Sequence, residues 1–287
     1  MNLFPAVNYE TLCKLKIPKL IPLIKQKQDW STPLKLRLVE SLTNIPQYQI
    51  QEIYNDVYNC FHKLDDYYPN IEIEYLKNEL VPYFMYQGNL DLLKTKCITI
   101  GGTRTPSHWG IVECKRVSSY LGSKNFTLVS GLAKGIDTIT HKKALELGIK
   151  TIAVIATPIN KFYPAENRKL QNQISKEGLL ISPFAPNTIT KKWHFLLRNK
   201  IMVNISLASI VIEAFDKGGS TKMAEYSNFI NKPIFTSNFF YKNNITTWQK
   251  MMKDIYIYKN YEEITKTIEN SNFGKTIKKK LQKEFFL

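Results

Sequence analysis

From Thr95 onward, short apolar runs rich in β-branched residues alternate with longer segments whose apolar residues recur at helical spacing. The apolar runs lie at residues 97–101, 126–130, 151–156, 179–184, 208–214 and 233–236. The helical segments lie at residues 108–121, 135–147, 165–176, 195–205 and 220–230. Alternation at this spacing predicts a parallel sheet with helices on both faces. We therefore expect an α/β chain with an extended Rossmann-like fold and a mostly parallel sheet.

Glycine usage divides the chain. The first of its 12 glycines is Gly88, and several prolines punctuate helical patterns before it. This predicts a small all-helical domain at residues 1–65, a connecting segment at 65–93, and a Rossmann-like domain within residues 66–270. A basic tail follows at 271–287, where a solvated or frayed helix is expected rather than a binding site.

Net charge bears most directly on function. The chain has 40 Lys and Arg against 24 Asp and Glu, a formal charge of +16. Such an excess favours a polyanionic partner, with nucleic acid ahead of an anionic membrane, although surplus lysine can also simply solvate a surface. No apolar run approaches the roughly 18 residues of a membrane span, and the N-terminus lacks a secretory layout. A cytoplasmic protein without a membrane partner is expected.

The four cysteines show no metal-binding or disulfide spacing. Cys13, Cys60, Cys97 and Cys114 are scattered, with no Cys-x-x-Cys pair, which argues against zinc and against a disulfide framework. The common phosphate-binding, metalloprotease and serine-hydrolase motifs are also missing. We therefore expect a binding protein without metal or cofactor rather than an enzyme.

Two glycine-containing loops directly follow strands of the predicted sheet, where ligands of open parallel sheets bind. The first carries Gly101, Gly102 and Arg104. Its glycines permit close backbone approach, the next helix offers N–H groups to an anion, and Arg104 can form a forked phosphate contact. The alternative is a tight turn with an exposed arginine. The pattern is not Gly-x-Gly-x-x-Gly, which disfavours a nicotinamide cofactor.

The second loop begins at the end of the next predicted strand. It comprises Ser130-Gly131-Leu132-Ala133-Lys134-Gly135-Ile136-Asp137. Small residues again permit close approach to a phosphate, Lys134 adds charge, and Asp137 can stabilise a helix N-terminus. His141 lies one turn after Asp137, and a packed structural histidine is favoured there over a catalytic one.

Two later segments also have binding character. Residues 185–212 contain no acid but include Lys191, Lys192, Arg198 and Lys200 among aromatic side chains. Cations with interleaved rings suit single-stranded nucleic acid, although Trp193 and Phe195 can equally anchor a helix start in the core. Further on, Gly218-Gly219-Ser220 enters a helix at a place suited to an anion.

Taken in order, these loops resemble the DprA/Smf family of DNA-processing proteins. The matching motifs are Gly102-Thr103-Arg104, Ser130 to Asp137 with His141, Thr151-Ile152-Ala153-Val154, Tyr163-Pro164-Ala165-Glu166-Asn167-Arg168, Phe195 with Arg198-Asn199-Lys200, and Val211-Ile212-Glu213-Ala214. Upstream, Leu64 to Pro69 and Gly88-Asn89-Leu90 also fit. The similarity covers about residues 60–265.

The resemblance implies a single-stranded DNA-binding protein, usually a dimer through its Rossmann domain, that protects incoming DNA in natural transformation and loads the RecA recombinase. It implies a SAM-like character for the helical domain, and no winged-helix domain is expected after residue 270. The implied DNA-binding residues are Arg104, Ser130, Gly131, Lys134, Gly135, Phe195, Arg198 and Lys200. In this scheme the four cations hold phosphates, Phe195 packs against sugar or base, and Asp137 braces the loop.

The chain departs from the family pattern at three site positions. The family's Phe-Pro-x-Arg-Asn-Arg has Leu196 for proline and Lys200 for the last arginine, and Met223 replaces a threonine.

Two other functions stay open on this fold. One is a sensor of a free nucleotide. The other is a nucleoside-monophosphate phosphoribohydrolase-like enzyme, although residues 217–225 keep only two glycines and the glutamate of its Pro-Gly-Gly-x-Gly-Thr-x-x-Glu motif.

Overall fold

The computed structural model describes residues 72–75, 83–184, 188–215, 218–243 and 255–270. The predicted helical domain at residues 1–65 and the predicted basic tail at 271–287 lie outside these described residues. Within the described part, nine strands form a single sheet in the order β1-β2-β6-β5-β4-β3-β7-β8-β9. The strands are β1 Glu72–Tyr75, β2 Tyr83–Gly88, β3 Cys97–Gly102, β4 Thr127–Ser130, β5 Thr151–Val154, β6 Leu179–Ser182, β7 Ala208–Ile212, β8 Ile234–Ser237 and β9 Ile255–Tyr258.

Strands β3 to β9 are parallel to one another. β4, β5 and β6 follow one another on one side of β3, whereas β7, β8 and β9 follow on the other. The chain therefore changes direction across the sheet between β3 and β7, which is the position where open α/β sheets bind ligands. We call the edge formed by the carboxyl ends of these seven strands the carboxyl edge. This topology confirms the predicted mostly parallel, Rossmann-like fold.

Two strands come from residues 65–93, the segment that the sequence predicts as a connection. β1 pairs antiparallel with β2, and β2 pairs antiparallel with β6, where Met85 lies opposite Ser182. That pairing joins residues almost a hundred positions apart in the sequence, so no local pattern indicates it. The connecting segment thus extends the sheet beyond β6.

Seven α-helices occur in the described residues, and five of them connect the parallel strands as predicted. They are α1 His108–Ser123, α2 Ile136–Glu146, α3 Arg168–Glu177, α4 Lys192–Ile205, α5 Gly219–Phe229, α6 Asn238–Asn243 and α7 Glu262–Asn270. Short 3-10 helices lie at Leu90–Lys94 and Ala165–Asn167. Each crossover helix begins at the carboxyl edge, so the first turns of α1, α2, α4 and α5 all lie close to the strand ends that the sequence singled out.

The sheet separates two apolar layers. On one face, residues of α4 and α5 pack on β5, β6 and β7; on the other, residues of α1, α2 and α7 pack on β3, β4 and β7. The central strands are buried throughout, apart from Gly102 at the end of β3, as their apolar sequences predict. Loops at the carboxyl edge are therefore held by a rigid, fully buried support.

Cys97 and Cys114 are buried and unpaired, and burial raises the pKa of each thiol to about 12. This agrees with their interpretation as small core residues; Cys13 and Cys60 lie outside the described residues. No group of three or more His, Cys, Asp or Glu among the described residues is arranged to hold a metal ion. None of the described helices is long and apolar enough to cross a membrane.

Candidate nucleic-acid interface

The loop after β3, residues 103–107, is fastened to the end of β7. Thr103 N–H donates to the Glu213 carbonyl oxygen at 2.8 Å, and Ser107 N–H donates to Glu213 Oε2 at 2.8 Å. Ser107 Oγ in turn accepts the Gly110 N–H at 3.1 Å. The Glu213 carboxylate therefore lies at the α1 N-terminus as an internal anion, and the Ser107 and Gly110 amides donate to Glu213 and to Ser107 Oγ instead of to a bound anion. Arg104 is left exposed between these fixed points.

The loop after β4, residues 131–135, packs directly against the first loop. Gly135 has φ +75°, and a Cβ atom there would overlap the Thr103 carbonyl oxygen and lie 2.6 Å from the Arg104 carbonyl oxygen. The adjacent Ile136 N–H donates to the Thr103 carbonyl oxygen at 3.2 Å. Only glycine permits both this conformation and this close approach. The two loops consequently form one structural unit at the carboxyl edge.

A buried asparagine supports the second loop from below. Asn167 Nδ2 donates to the Leu132 carbonyl oxygen at 3.0 Å and to Thr138 Oγ1 at 2.8 Å. Thr138 Oγ1 donates to the Ala133 carbonyl oxygen at 2.6 Å. Leu132 has φ +57° and is fully buried, so these bonds fix an otherwise unfavourable backbone. Asn167 lies within the family motif at residues 163–168, but its residue type alone predicts no such role.

Beneath the second loop lies a buried ion pair between α4 and α2. Arg198 is only 6% exposed, and its Nη1 lies 3.6 Å from Asp137 Oδ2. A Cβ atom on Gly131 would overlap Nη1, so glycine is what allows the guanidinium to occupy this position. Asp137 Oδ2 also accepts the Ala133 N–H at 3.2 Å, which places Asp137 in contact with the loop it was expected to brace.

Burial dominates the electrostatics of this ion pair. It raises the pKa of the Asp137 carboxyl, while the adjacent Arg198 guanidinium and backbone amides act against that rise. It also lowers the pKa of Arg198, opposed by Asp137. Nε and Nη1 of Arg198 are buried without a hydrogen-bond partner. The pair therefore places a cation under the loop at a considerable desolvation cost.

His141 lies in the same buried layer and has structural contacts. Its Nδ1 is 2.8 Å from Thr151 Oγ1, and burial lowers the pKa of His141 to about 3. The ring is accordingly neutral at physiological pH and packed between α2 and β5. These contacts favour the structural interpretation of His141 over a catalytic one.

An exposed cluster of one cation and two rings lies beside the loops. The Arg104 guanidinium carbon lies 6.0 Å from the Phe195 ring centroid, and the Tyr163 ring meets Phe195 edge-on at 5.6 Å. Tyr163 is 49% exposed and Phe195 is half-buried. Phe195 lies in the first turn of α4, which begins at Lys192, earlier than the predicted start at residue 195. A base or sugar could stack here while Arg104 contacts a phosphate.

Lys134 adds a second exposed cation to this cluster, already paired with an acid. Its Nζ lies 2.5 Å from Glu166 Oε1, with both side chains more than half exposed. The hydrogen bond from Lys134 lowers the pKa of Glu166. An incoming phosphate would therefore compete with Glu166 for Lys134.

Lys200 is not brought together with the other predicted site residues. Its Nζ lies 5.3 Å from the ring centroid of Tyr226 on α5. Residues two positions apart on a helix point about 200° apart, so Lys200 cannot share the direction of Arg198. Trp193, which the sequence assigns to either the core or a ligand contact, meets the His194 ring edge-on at 4.2 Å and is 36% exposed. The structure thus separates Lys200 from the loop cluster.

The glycine-containing entry to α5 is held by its own contacts. Thr221 Oγ1 donates to the Phe215 carbonyl oxygen at 2.7 Å, and Asn199 Nδ2 donates to the Gly219 carbonyl oxygen at 2.9 Å. Residues 216–217 lie outside the described part of the chain. Asn199 thus links α4 to the start of α5, next to the switch point between β3 and β7.

A family model described as DNA recombination-mediator protein A matches residues 59–269. The chain belongs to this family. DNA processing protein DprA of Streptococcus pneumoniae is 38% identical over 175 residues, which are 61% of this chain and 61% of that protein. Protein Smf of Synechocystis is 36% identical over 159 residues, or 54% of this chain and 40% of that protein. The chain therefore spans less than two thirds of the length of either curated relative.

Solved structures of DprA family members share the fold. DprA from Streptococcus pneumoniae matches with a TM-score of 0.71 and 25% identity, covering 88% of this chain and 92% of that one. DprA from Helicobacter pylori, described for its single-stranded DNA binding mode, matches with a TM-score of 0.59 and 25% identity over 65% of this chain and 86% of that one. The resemblance inferred from the sequence motifs is confirmed at the level of family and fold.

Two departures from the DprA family pattern have visible structural settings. Leu196 is exposed within α4, where its N–H can join the helix, whereas a proline would remove that donor. Met223 is buried, and its thioether lies against Gly101 of β3. Replacing the threonine of the DprA family pattern thus puts an apolar side chain under the carboxyl end of β3.

Proposed function

We propose that this protein binds single-stranded DNA along the paired loops 103–107 and 131–135 and acts as a recombination mediator rather than as an enzyme. The observation that carries the proposal is the exposed cluster of Arg104, Phe195 and Tyr163 at the carboxyl edge, next to Lys134. Cations for phosphates beside rings for bases are what sequence-tolerant binding of single strands requires. Family membership and the relative described for its single-stranded DNA binding support it.

The contacts divide into exposed and buried contributions. Arg104 and Lys134 would meet phosphates, and Phe195 with Tyr163 would pack on a base or sugar. The backbone from Ser130 through Gly131 to Gly135 would add neutral donors at close range. Arg198 would act through its charge from beneath Gly131, because direct contact with a phosphate requires the second loop to move. Lys200 stays a predicted phosphate contact, for a strand that extends toward α5.

The wider role follows from the family resemblance. We propose that the protein protects incoming DNA, loads RecA, forms a homodimer through its Rossmann-like domain and acts in the cytoplasm. The +16 net charge supports a polyanionic partner for the whole chain.

The decisive experiment is fluorescence anisotropy of labelled oligo-dT at two salt concentrations. Arg104→Ala is expected to weaken binding about 10-fold or more, because a charged hydrogen bond to phosphate is lost. The same variant should reduce the slope of log K against log salt by about 0.7 in magnitude, the contribution of one phosphate contact to a single strand.

Lys150→Ala is the matched control. Lys150 is exposed and immediately precedes β5, at the opposite edge of the sheet, so its loss should leave affinity nearly unchanged. Salt-insensitive binding, or equal losses in both variants, would contradict the proposed site. Displacement of oligo-dT by free AMP at comparable concentration would instead favour the nucleotide sensor, and release of adenine would favour the phosphoribohydrolase.

Freeing Lys134 from its acidic partner should strengthen binding. Glu166→Gln removes the charge that holds Lys134 Nζ, so affinity for oligo-dT at low salt is expected to rise about 2-fold, an effect sized for an exposed ion pair. Glu146→Gln is the control, because Glu146 is also more than half exposed and pairs with Lys143 at the far end of α2. Equal gains in both variants would show that only net charge matters and would remove Lys134 from the interface.

A further inference from the structure

A second concave site lies on the same edge of the sheet. A cavity of about 640 Å³ opens at the carboxyl ends of β8 and β9, where Ser237, Asn238 and Tyr258 contribute to its lining. Lys242 and Lys259 also line it, and both side chains are exposed. None of these residues takes part in the loop cluster described above. The cavity thus combines two cations with neutral hydrogen-bonding groups at the carboxyl ends of two adjacent parallel strands.

The wall of this cavity is held in place by one carboxylate. Glu113 of α1 accepts hydrogen bonds from Tyr258 Oη at 2.8 Å and from Tyr261 Oη at 3.1 Å. Burial raises the pKa of both phenols, to about 12 for Tyr261, so both remain proton donors to Glu113. The acid in the cavity is therefore engaged by two neutral donors, while the two lysines leave the lining with a net positive charge.

An open aromatic platform adjoins the cavity. Trp109 is 60% exposed and Phe239, which itself lines the cavity, is 46% exposed. Their ring centroids are 5.8 Å apart at an interplanar angle of 50°, and His108 meets Trp109 edge-on at 5.7 Å. Large exposed rings offer stacking surface to bases of any sequence.

The platform also connects the cavity to the proposed DNA site. His108 and Trp109 are the first two residues of α1, which follows directly on the loop that carries Arg104. Arg104 follows β3 and Phe239 follows β8, two strands away in the sheet, and the cavity with Lys242 and Lys259 lies at β8 and β9. Cations and rings are therefore both present along this edge, as phosphates and bases are along an extended strand.

We propose that the Trp109–Phe239 platform and the adjoining cavity form a second nucleotide subsite, which binds bases and phosphates of a single strand already held at Arg104 and Phe195. This inference rests on the proposed function and extends its footprint toward β9. The subsite acts only on strands long enough to reach it, and its contacts are sequence-tolerant because stacking and lysine contacts do not read base edges.

The test compares short and long oligo-dT, of about 6 and about 20 nucleotides, which bracket the site sizes of about 4–16 nucleotides seen for single-strand-binding folds. Trp109→Ala and Phe239→Ala are measured by anisotropy with the full chain, together with Trp109→Phe. Leu147→Ala is the control, since Leu147 is a similarly exposed apolar side chain at the far end of α2.

We expect each alanine variant to weaken binding of the long oligonucleotide about 5-fold or more, the loss of one stacked base, and to leave the short one unchanged. Trp109→Phe should restore most of the loss. Unchanged affinity for the long strand, equal losses for both lengths, or Trp109-dependent binding of free AMP to the same extent would overturn the subsite. Failure of the wild-type chain to bind either oligonucleotide would instead overturn the proposed function, and the subsite with it.

Discussion

Replacing Arg198 with methionine is expected to lower the free energy of unfolding by about 3 kcal/mol at neutral pH, as for other buried ion pairs that lose one partner. Methionine fills much of the same volume but leaves the Asp137 carboxylate without the cation 3.6 Å away. The loss is measured by urea denaturation followed by circular dichroism. Because Asp137 also accepts a loop amide, oligo-dT binding should fall in the same variant.

The loss of unfolding free energy in Arg198→Met should depend on pH. Burial already raises the pKa of Asp137, and removing Arg198 raises it further. When the pKa of a carboxyl is higher in the folded than in the unfolded state, the protonated carboxyl stabilises the fold. For Asp137 this stabilisation is complete below the ordinary pKa of 3.8 and is lost as pH rises through the folded-state pKa. The difference between variant and wild type should therefore shrink as pH falls from about 7 toward about 4.

The double variant Asp137→Asn/Arg198→Met is the control for this prediction. With both charges removed, stability is expected to return to within about 1 kcal/mol of wild type, because a neutral replacement avoids the desolvation cost. The histidine of the same layer, His141, has a folded-state pKa of about 3 and takes up a proton in this pH range on unfolding. That uptake is common to all the variants, so its effect is largely removed by taking differences. A deficit in Arg198→Met that does not change with pH would contradict the assigned ion pair.

Gly135→Ala is expected to cost about 3 kcal/mol of unfolding free energy, through backbone strain and overlap together. The added Cβ meets two carbonyl oxygens of the neighbouring loop, those of Thr103 and Arg104, and neither can move without breaking the contact between the loops. Thermal and urea unfolding would measure the cost.

Gly148→Ala is the control for a positive φ without overlap. Gly148 has φ +64°, close to that of Gly135, but no atom lies within 4 Å of an added Cβ. Its substitution should cost only the conformational strain, about 1 kcal/mol. Equal costs for the two variants would show that the loops do not constrain each other, and would remove the basis for treating them as one unit.

The parallel part of the fold could be predicted because each strand and helix carries its own periodicity. β3 and α1, for example, are recognisable from residues 97–121 alone. β2 could not be predicted as part of this sheet, since its place depends on pairing with β6, far away in the sequence. The early start of α4 at Lys192 depends on packing beyond the predicted segment.

Within the candidate site, the sequence predicts which residue types are present better than it predicts where their side chains point. Glycines and a basic residue after a strand indicate a ligand loop, which identified Arg104 and Gly131. That Arg198 is buried beneath Gly131 while Lys200 faces Tyr226 depends on how α4 is rotated against the sheet. The weak amphipathic pattern of α4 does not reveal this rotation. Glu213 likewise reaches the α1 N-terminus only because β7 is the neighbour of β3.

The contact between Gly135 and the carbonyl groups of residues 103 and 104 has a consequence for motion. Since the Ile136 N–H also bonds to Thr103, the two loops share one local opening event, and neither can fluctuate widely alone. A DNA strand that contacted only Arg104 would thus also reduce the backbone fluctuations near Lys134. Because both loops are ordered before any strand arrives, little conformational entropy is lost on binding, and each contact contributes more of its energy to affinity.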